Sequence, residues 1–271
     1  MNNPQKLFSY SQNWNIWRLI MTDLDQIVIE ERNIEKMEVF FSCIDKNTGS
    51  VFWKNKRFLD EKFWTGIEDT KSNLLFLHMF EKPDMPLHKK IIAVNLIDGT
   101  IDWINHELTY FACDDNFIYA YKQNFESKEY FKLEKESGQI ISSLGNEEDA
   151  KPYLNLIPEK NYSRYLFSSP ISQLENEVLI NLIRNHAINS KYNAFIEYIL
   201  FKDFLIFNFY DKASEAFLIN KLFIINQYSQ KILHTETINS ATPAPVPDSF
   251  FIYDDILYFI KNKKELIAYK L

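Results

Sequence analysis

Glycine is scarce in this chain, with 5 in 271 residues, and cysteine is scarcer, with Cys43 and Cys113 alone. Two such distant cysteines build no disulfide framework and carry no Cys-x-x-Cys spacing. A disulfide-stapled fold and a paired-thiol redox site are therefore excluded, and a reducing cytoplasm is the expected compartment. Long apolar runs are missing too. No window approaches the roughly 18 uninterrupted apolar residues of a membrane span. The opening "MNNPQKLFSYSQNWNIW" lacks the basic start and apolar centre of a signal peptide, so none is expected. Basic charge is in short supply: 30 Lys and Arg stand against 37 Asp and Glu, a net charge of -7. That balance excludes the clustered basic footprint of a nucleic-acid binder. The densest lysine cluster, "KNKK" at 261–264, reads as a solvated hairpin turn.

Several catalytic patterns are also missing. There is no G-x-S-x-G nucleophile elbow, and neither G-x-x-x-x-G-K-[ST] nor G-x-G-x-x-G occurs to cradle a phosphate. No cofactor or metal is expected from ligand spacing.

Aromatic residues are abundant, at 16 % with 23 Phe and 15 Tyr. Aromatic enrichment favours strands, and the strands repeat. Residues 93–103 read A-x-N-x-x-x-G-x-x-x-W, with Ala93, Asn95, Gly99 and Trp103. Residues 43–53 match with Cys43 in the alanine slot, then Asp45, Gly49 and Trp53. A weaker copy at 132–142 keeps Glu134 and Gly138 but ends in Ser142. A decayed copy at 225–234 keeps Asn226, with Gln230 and His234 in the last two slots. Near the start, "NWNIW" places Asn13 and Trp17 in the Gly and Trp slots. Each slot has a reason. The glycine supplies positive φ in a tight turn, the early Asp or Asn accepts hydrogen bonds from turn amides, and the Trp offers a flat apolar face.

A second pattern, a polar turn before an apolar strand, recurs at 69–78, 114–121, 202–210 and 253–261. Each unit thus reads as four antiparallel strands, recurring at roughly 40–50 residues, the sign of a propeller blade. The expected fold is all-β: a single β-propeller domain over 1–271. Six blades are expected, the segment 161–186 supplying a degenerate one; five blades plus an insertion, or seven, are the alternatives. The final strand 265–271 stops short of a Gly turn and a Trp strand, and "NWNIWRL" at 13–19 offers the missing piece. The ring is therefore expected to close by pairing N- and C-terminal strands, which removes an exposed edge.

The Gly-turn and Trp pattern resembles the tryptophan-docking repeat of quinoprotein alcohol dehydrogenase-like β-propellers, a superfamily that also includes bacterial outer-membrane assembly scaffolds. The resemblance implies that Trp53, Trp103 and Trp17 each pack against the next blade, with Gly49 and Gly99 at the turns. The superfamily's enzymes bind pyrroloquinoline quinone with calcium beside a disulfide of adjacent cysteines. This sequence has no adjacent cysteines and is much shorter, so quinone-dependent dehydrogenase activity is not expected. The whole chain also resembles an uncharacterised bacterial family of unknown function, which implies no activity.

The candidate ligand or partner site lies within 63–94, at Trp64, Glu68, His78, Asp84 and His88. His78 ends one strand and His88 begins the next, joined by 79–87 with its two prolines. Two readings stand: a ligand or metal site at the loop-bearing face, or two histidines capping a Pro-stiffened hairpin. The acidic pairs Asp114-Asp115 and Asp254-Asp255 precede strands and read as turn residues. Cys43, in a small-residue strand slot, reads as a core thiol, and the acidic turn after Cys113 raises rather than activates its thiol. The segment 239–249 reads as a Pro-rich connection. The expected function is that of a non-enzymatic, monomeric scaffold for a protein or peptide partner, without nucleic acid or membrane. A small-ligand binder, or an enzyme assembled from several blades, is the alternative.

Overall fold

The computed structural model describes residues 3–80, 87–157, 160–187, 190 and 192–271. The chain is all-β apart from the helices Glu147–Leu154 and Glu177–His186 and two short 3-10 turns. No described helix is long and apolar enough to cross a membrane. The chain divides into two compact units, one of residues 14–160 and one of residues 1–13 with 161–271.

The unit 14–160 contains three four-stranded antiparallel meanders. The first runs through Asn15–Met21, Gln26–Asn33, Glu38–Asp45 and Val51–Lys56. The second runs through Thr65–Lys71, Leu74–Phe80, His88–Asn95 and Ile101–Asn105. The third runs through Thr109–Cys113, Phe117–Gln123, Lys128–Glu134 and Ile140–Gly145. Thr109 pairs with Lys90, joining the second and third meanders into one sheet. In the other unit, Glu197–Phe201, Phe204–Lys212, Leu218–Asn226 and Ile232–Thr242 form one meander. Phe250–Tyr253, Ile256–Lys261, Glu265–Lys270 and Gln5–Ser11 form another.

The second strands carry apolar runs buried on both faces, where packed layers lie above and below the sheet. Ile27, Val28, Ile29, Leu74, Leu75, Phe76, Leu205, Ile206 and Phe207 are all fully buried. One core joins Val28, Phe41 and Trp53 of the first meander to Leu75, Leu77 and Ile92 of the second. Another joins Phe76 and Ile91 to Ile118 and Leu133 of the third.

The repeat's turns are built alike. The amide of Gly49 donates to the Asp45 carbonyl at 2.9 Å, Gly99 to Asn95 at 2.9 Å, Gly138 to Glu134 at 2.9 Å and Gln230 to Asn226 at 2.8 Å. The first three have φ of 70°, 66° and 68°, and Gln230 holds the same left-handed conformation at 57°. The decayed copy has thus kept the turn and lost the glycine. Asp45 and Asn226 each accept two backbone amides of their own turn.

The indoles divide. Trp53 is 5 % exposed, donates Nε1–H to the Leu96 carbonyl at 2.9 Å and faces Gly99 of the following meander. Trp103 donates to the Lys135 carbonyl at 3.1 Å and faces Gly138. Trp17 does not do this. It is 61 % exposed, on the first strand of its meander, where the register slips between Ile16 and Arg18. Asn13 lies outside any Gly-type turn, in the bend between Gln5–Ser11 and Asn15–Met21.

Two further expectations are corrected. The strand that pairs with Glu265–Lys270 is Gln5–Ser11, not the segment 13–19. The segment 161–186 supplies only Tyr165–Phe167 and Ser169–Pro170 as strands, and ends in the helix Glu177–His186. Asn176 caps that helix, its side chain accepting from the amides of Val178 and Leu179, and Leu179 and Ile183 form its buried face. A four-residue apolar spacing behind an Asn cap is helical, and it outweighed the spacing of the repeat, which left a gap for a blade here. The "KNKK" segment does form the turn between Ile256–Lys261 and Glu265–Lys270.

A candidate ligand site at Glu68, His78 and His88

Two irregularities of the second meander build the site. Between Ile67 and Asp69 the register with the neighbouring strand slips by one, leaving Glu68 as the extra residue. Between Leu77 and Met79 it slips again, so that His78 faces both Lys90 and Ile91, and Lys90 takes a left-handed φ of 61°. Bulges of this kind re-aim side chains and occur often beside functional sites. The equivalent slips in the first and third meanders fall at Trp17 and Phe111, both exposed aromatics. Only the second meander places a carboxylate there.

The two imidazoles stack, with ring centroids 3.5 Å apart and planes 6° from parallel. Both Nδ1 atoms lie 2.8 Å from one oxygen, Glu68 Oε2. His88 is hydrogen-bonded to it. His78 reaches the same distance without hydrogen-bond alignment, and among the described residues neither of its ring nitrogens makes an aligned hydrogen bond although the residue is only 3 % exposed. His88 is half-buried and opens to solvent.

Burial alone would push the Glu68 carboxyl up; contact with the two histidines reverses this and holds it at about 2. Burial pushes the His78 imidazole down, more than the Glu68 carboxylate raises it.

The surroundings fix the rings. Gly66 pairs opposite His78, and a Cβ there would stand 3.0 Å from His78 Cε1 and Nε2. Phe80 meets both imidazoles edge-on, at 4.9 and 5.3 Å. The Thr109 hydroxyl donates to the His88 carbonyl at 3.0 Å. Burial, and then the Glu68 carboxylate, raise the Tyr121 phenol.

Of the residues singled out in the sequence, Glu68, His78 and His88 come together. Trp64 does not join them. Its ring packs on Phe80 at 6.2 Å and reaches the imidazoles only through that ring. Asp84 and most of the connecting loop lie outside the described residues. Gly66 and Phe80 were missed. Gly66 had one signal: it is the glycine that sits inside a strand, where such a residue marks close approach.

The other candidate nucleophiles and acids serve the fold. Cys43 is fully buried, which pushes its thiol up to about 12. Burial, against a hydrogen bond from Tyr110, leaves Cys113 raised to about 11. Asp114 accepts the amides of Asn116 and Phe117 in its turn, Asp115 pairs with Lys71 at 2.9 Å, and Asp254 with Arg164 at 2.7 Å.

A family model described as a domain of unknown function (DUF4905) matches residues 20–103, the stretch that carries Glu68, His78 and His88. No curated protein matches the chain. Among solved structures it is similar to a protein of Bacteroides fragilis NCTC 9343, at 7 % identity and a TM-score of 0.37, covering 99 % of this chain and 94 % of that one. It is also similar to the Dos1 propeller, at 10 % identity and a TM-score of 0.34, covering 94 % and 70 %. A third is the β-propeller domain of the Trilobed protease from Pyrococcus furiosus, at 9 % identity and a TM-score of 0.30, covering 92 % and 64 %. No function is carried over at these levels.

Proposed function

We propose that this chain is a non-enzymatic cytoplasmic β-propeller, of five blades with a helical insertion, that binds a protein or peptide partner through Glu68, His78 and His88. The meander occurring five times supports the blade reading. So do the contacts of Trp53 on the Gly99 turn and Trp103 on the Gly138 turn, as in tryptophan-docking propellers. The raised thiols of Cys43 and Cys113 and the turn roles of the paired aspartates support binding over catalysis.

One observation carries the assignment of the site: the buried His78 imidazole, its Nδ1 touching Glu68 without hydrogen-bond alignment and its Nε2 unpartnered among the described residues, stacked on an open His88. An unpaired buried polar group costs on the order of 1–3 kcal/mol. A pair kept only as a hairpin cap would be selected to satisfy those nitrogens. The test is a double variant, His78→Leu with His88→Leu. If the site serves binding, the variant melts within about 2 °C of the parent or above it, since about 1 kcal/mol moves the midpoint by 2–4 °C in a domain near this size. A markedly lower midpoint makes the pair a structural cap. Affinity capture from the native host, comparing parent and folded variant, reads the partner; an unchanged set of captured proteins overturns the site.

A further inference from the structure

We infer that Glu68, His78 and His88 hold one divalent transition-metal ion of the zinc class, an inference that rests on reading this cluster as a functional site. One donor atom from each residue lies within 4.8 Å of the others, on three side chains from three adjacent strands. Two imidazoles and a carboxylate form a donor set that zinc accepts readily, leaving a fourth position for water or a partner's group. Sequence spacing did not show it, because each ligand comes from a different strand.

The rings bring both Nδ1 atoms to one oxygen, but their lone pairs lie in nearly parallel planes with centroids 3.5 Å apart. A shared ion therefore requires the half-exposed His88 ring to swing out of the stack. Metal–ligand lengths of about 2.0–2.2 Å imply ligand-to-ligand separations of about 3.3–3.5 Å in a tetrahedron. The present 2.8 Å contacts must therefore open by about half an ångström. Glu68 is placed to give that movement, being the extra residue of a bulge with no residue paired opposite.

The second independent observation is His78 itself. It is buried, and among the described residues neither nitrogen makes an aligned hydrogen bond, its Nδ1 lying 2.8 Å from the shared oxygen; a coordinated cation would satisfy that nitrogen. Gly66 leaves the space that the His78 ring fills, and Phe80 meets it edge-on. The Arg32 guanidinium, which also approaches Gly66, is neutralised by Glu30 at 2.6 Å and does not repel the ion. The nitrogen donors also set the class: calcium and magnesium take oxygen ligands.

The test uses the untagged chain, titrated calorimetrically with zinc chloride and, separately, with cobalt chloride followed by visible absorption. The expected result is one equivalent bound at micromolar affinity or tighter, undisturbed by a hundredfold excess of calcium or magnesium. His88→Ala and Glu68→Gln, both partly exposed and checked for folding by circular dichroism, should each weaken zinc at least tenfold. The cobalt spectrum should lose its tetrahedral bands in His78→Gln. A parent chain that takes up neither ion overturns the inference, as does affinity unchanged in the folded His88→Ala and Glu68→Gln variants. The two readings fail separately. Absence of metal with a stable leucine pair leaves a functional site for another ligand, whereas metal uptake in the parent upholds this inference whatever the captured partners show.

Discussion

The Trp53 indole lies on the α-carbon of Gly99: a methyl placed there would come within 2.8 Å of Cδ2. The same relationship recurs one meander later, where a methyl on Gly138 would come within 2.5 Å of Trp103 Cε3. Each glycine thus does two things. It takes the left-handed turn, and it leaves the space into which the preceding meander's Trp packs.

Replacing Trp53 with alanine should cost about 3–5 kcal/mol in urea unfolding, the usual loss for a large aromatic cut from a packed core. Trp103 is only partly buried, so Trp103→Ala should cost less. Equal costs would show that burial of the indole is not what these contacts supply.

Gly99→Ala should destabilise by more than the 1–2 kcal/mol of a left-handed alanine, because the methyl also meets the indole. Gln230 holds such a φ already, so conformation alone is tolerable. In the Trp53→Ala background the added cost should shrink toward the conformational part. A double-mutant cycle measures that coupling, and strict additivity would refute direct contact.

Deleting residues 265–271 should abolish cooperative unfolding of the unit they belong to. Leu266, Ile267 and Ala268 are buried, and their strand lies between Ile256–Lys261 and Gln5–Ser11. Its loss strips one core and leaves Gln5–Ser11 without its pairing. An unchanged calorimetric transition would contradict this.

His234 should make stability fall as acidity rises. Its ring packs on Tyr269 at 4.7 Å; burial lowers its pKa below the ordinary 6.5, against the Glu236 carboxylate, while Lys6 adds to the lowering. Lys261, paired with Glu236 at 2.8 Å, weakens that carboxylate's pull. A base with a depressed folded pKa takes up fewer protons folded than unfolded. Its contribution is therefore complete above pH 6.5 and lost as the pH drops below it toward the folded value. Melting midpoints between pH 7.5 and 5.5 should fall more steeply for the parent than for His234→Gln; parallel slopes would acquit this histidine.

Both thiols should resist an aromatic disulfide reagent at pH 8 in the folded protein and react fully on unfolding. Burial holds Cys43 up at about 12 and Cys113, against the Tyr110 hydrogen bond, at about 11. Fast labelling of either in the native state would reopen a nucleophilic role.

Local features could be read from the order of the residues. The turns at Gly49, Gly99 and Gly138 were legible because positive φ and an amide-accepting Asp or Asn leave a fixed spacing, and even Gln230 kept the geometry. Alternating and doubly buried strands followed from their apolar patterns. The helix at 177–186 was legible from Asn176 and the Leu179–Ile183 spacing, but the period of the repeat called for a blade there. Tertiary structure alone decided the rest. A register slip of one residue leaves no mark in composition, yet it turned Trp17 outward and Glu68 toward two histidines. Glu68, His78 and His88 had all been singled out, but their meeting at one oxygen depends on how three strands pair. Pairing register is set by packing summed over whole strands, and no residue within the cluster carries it.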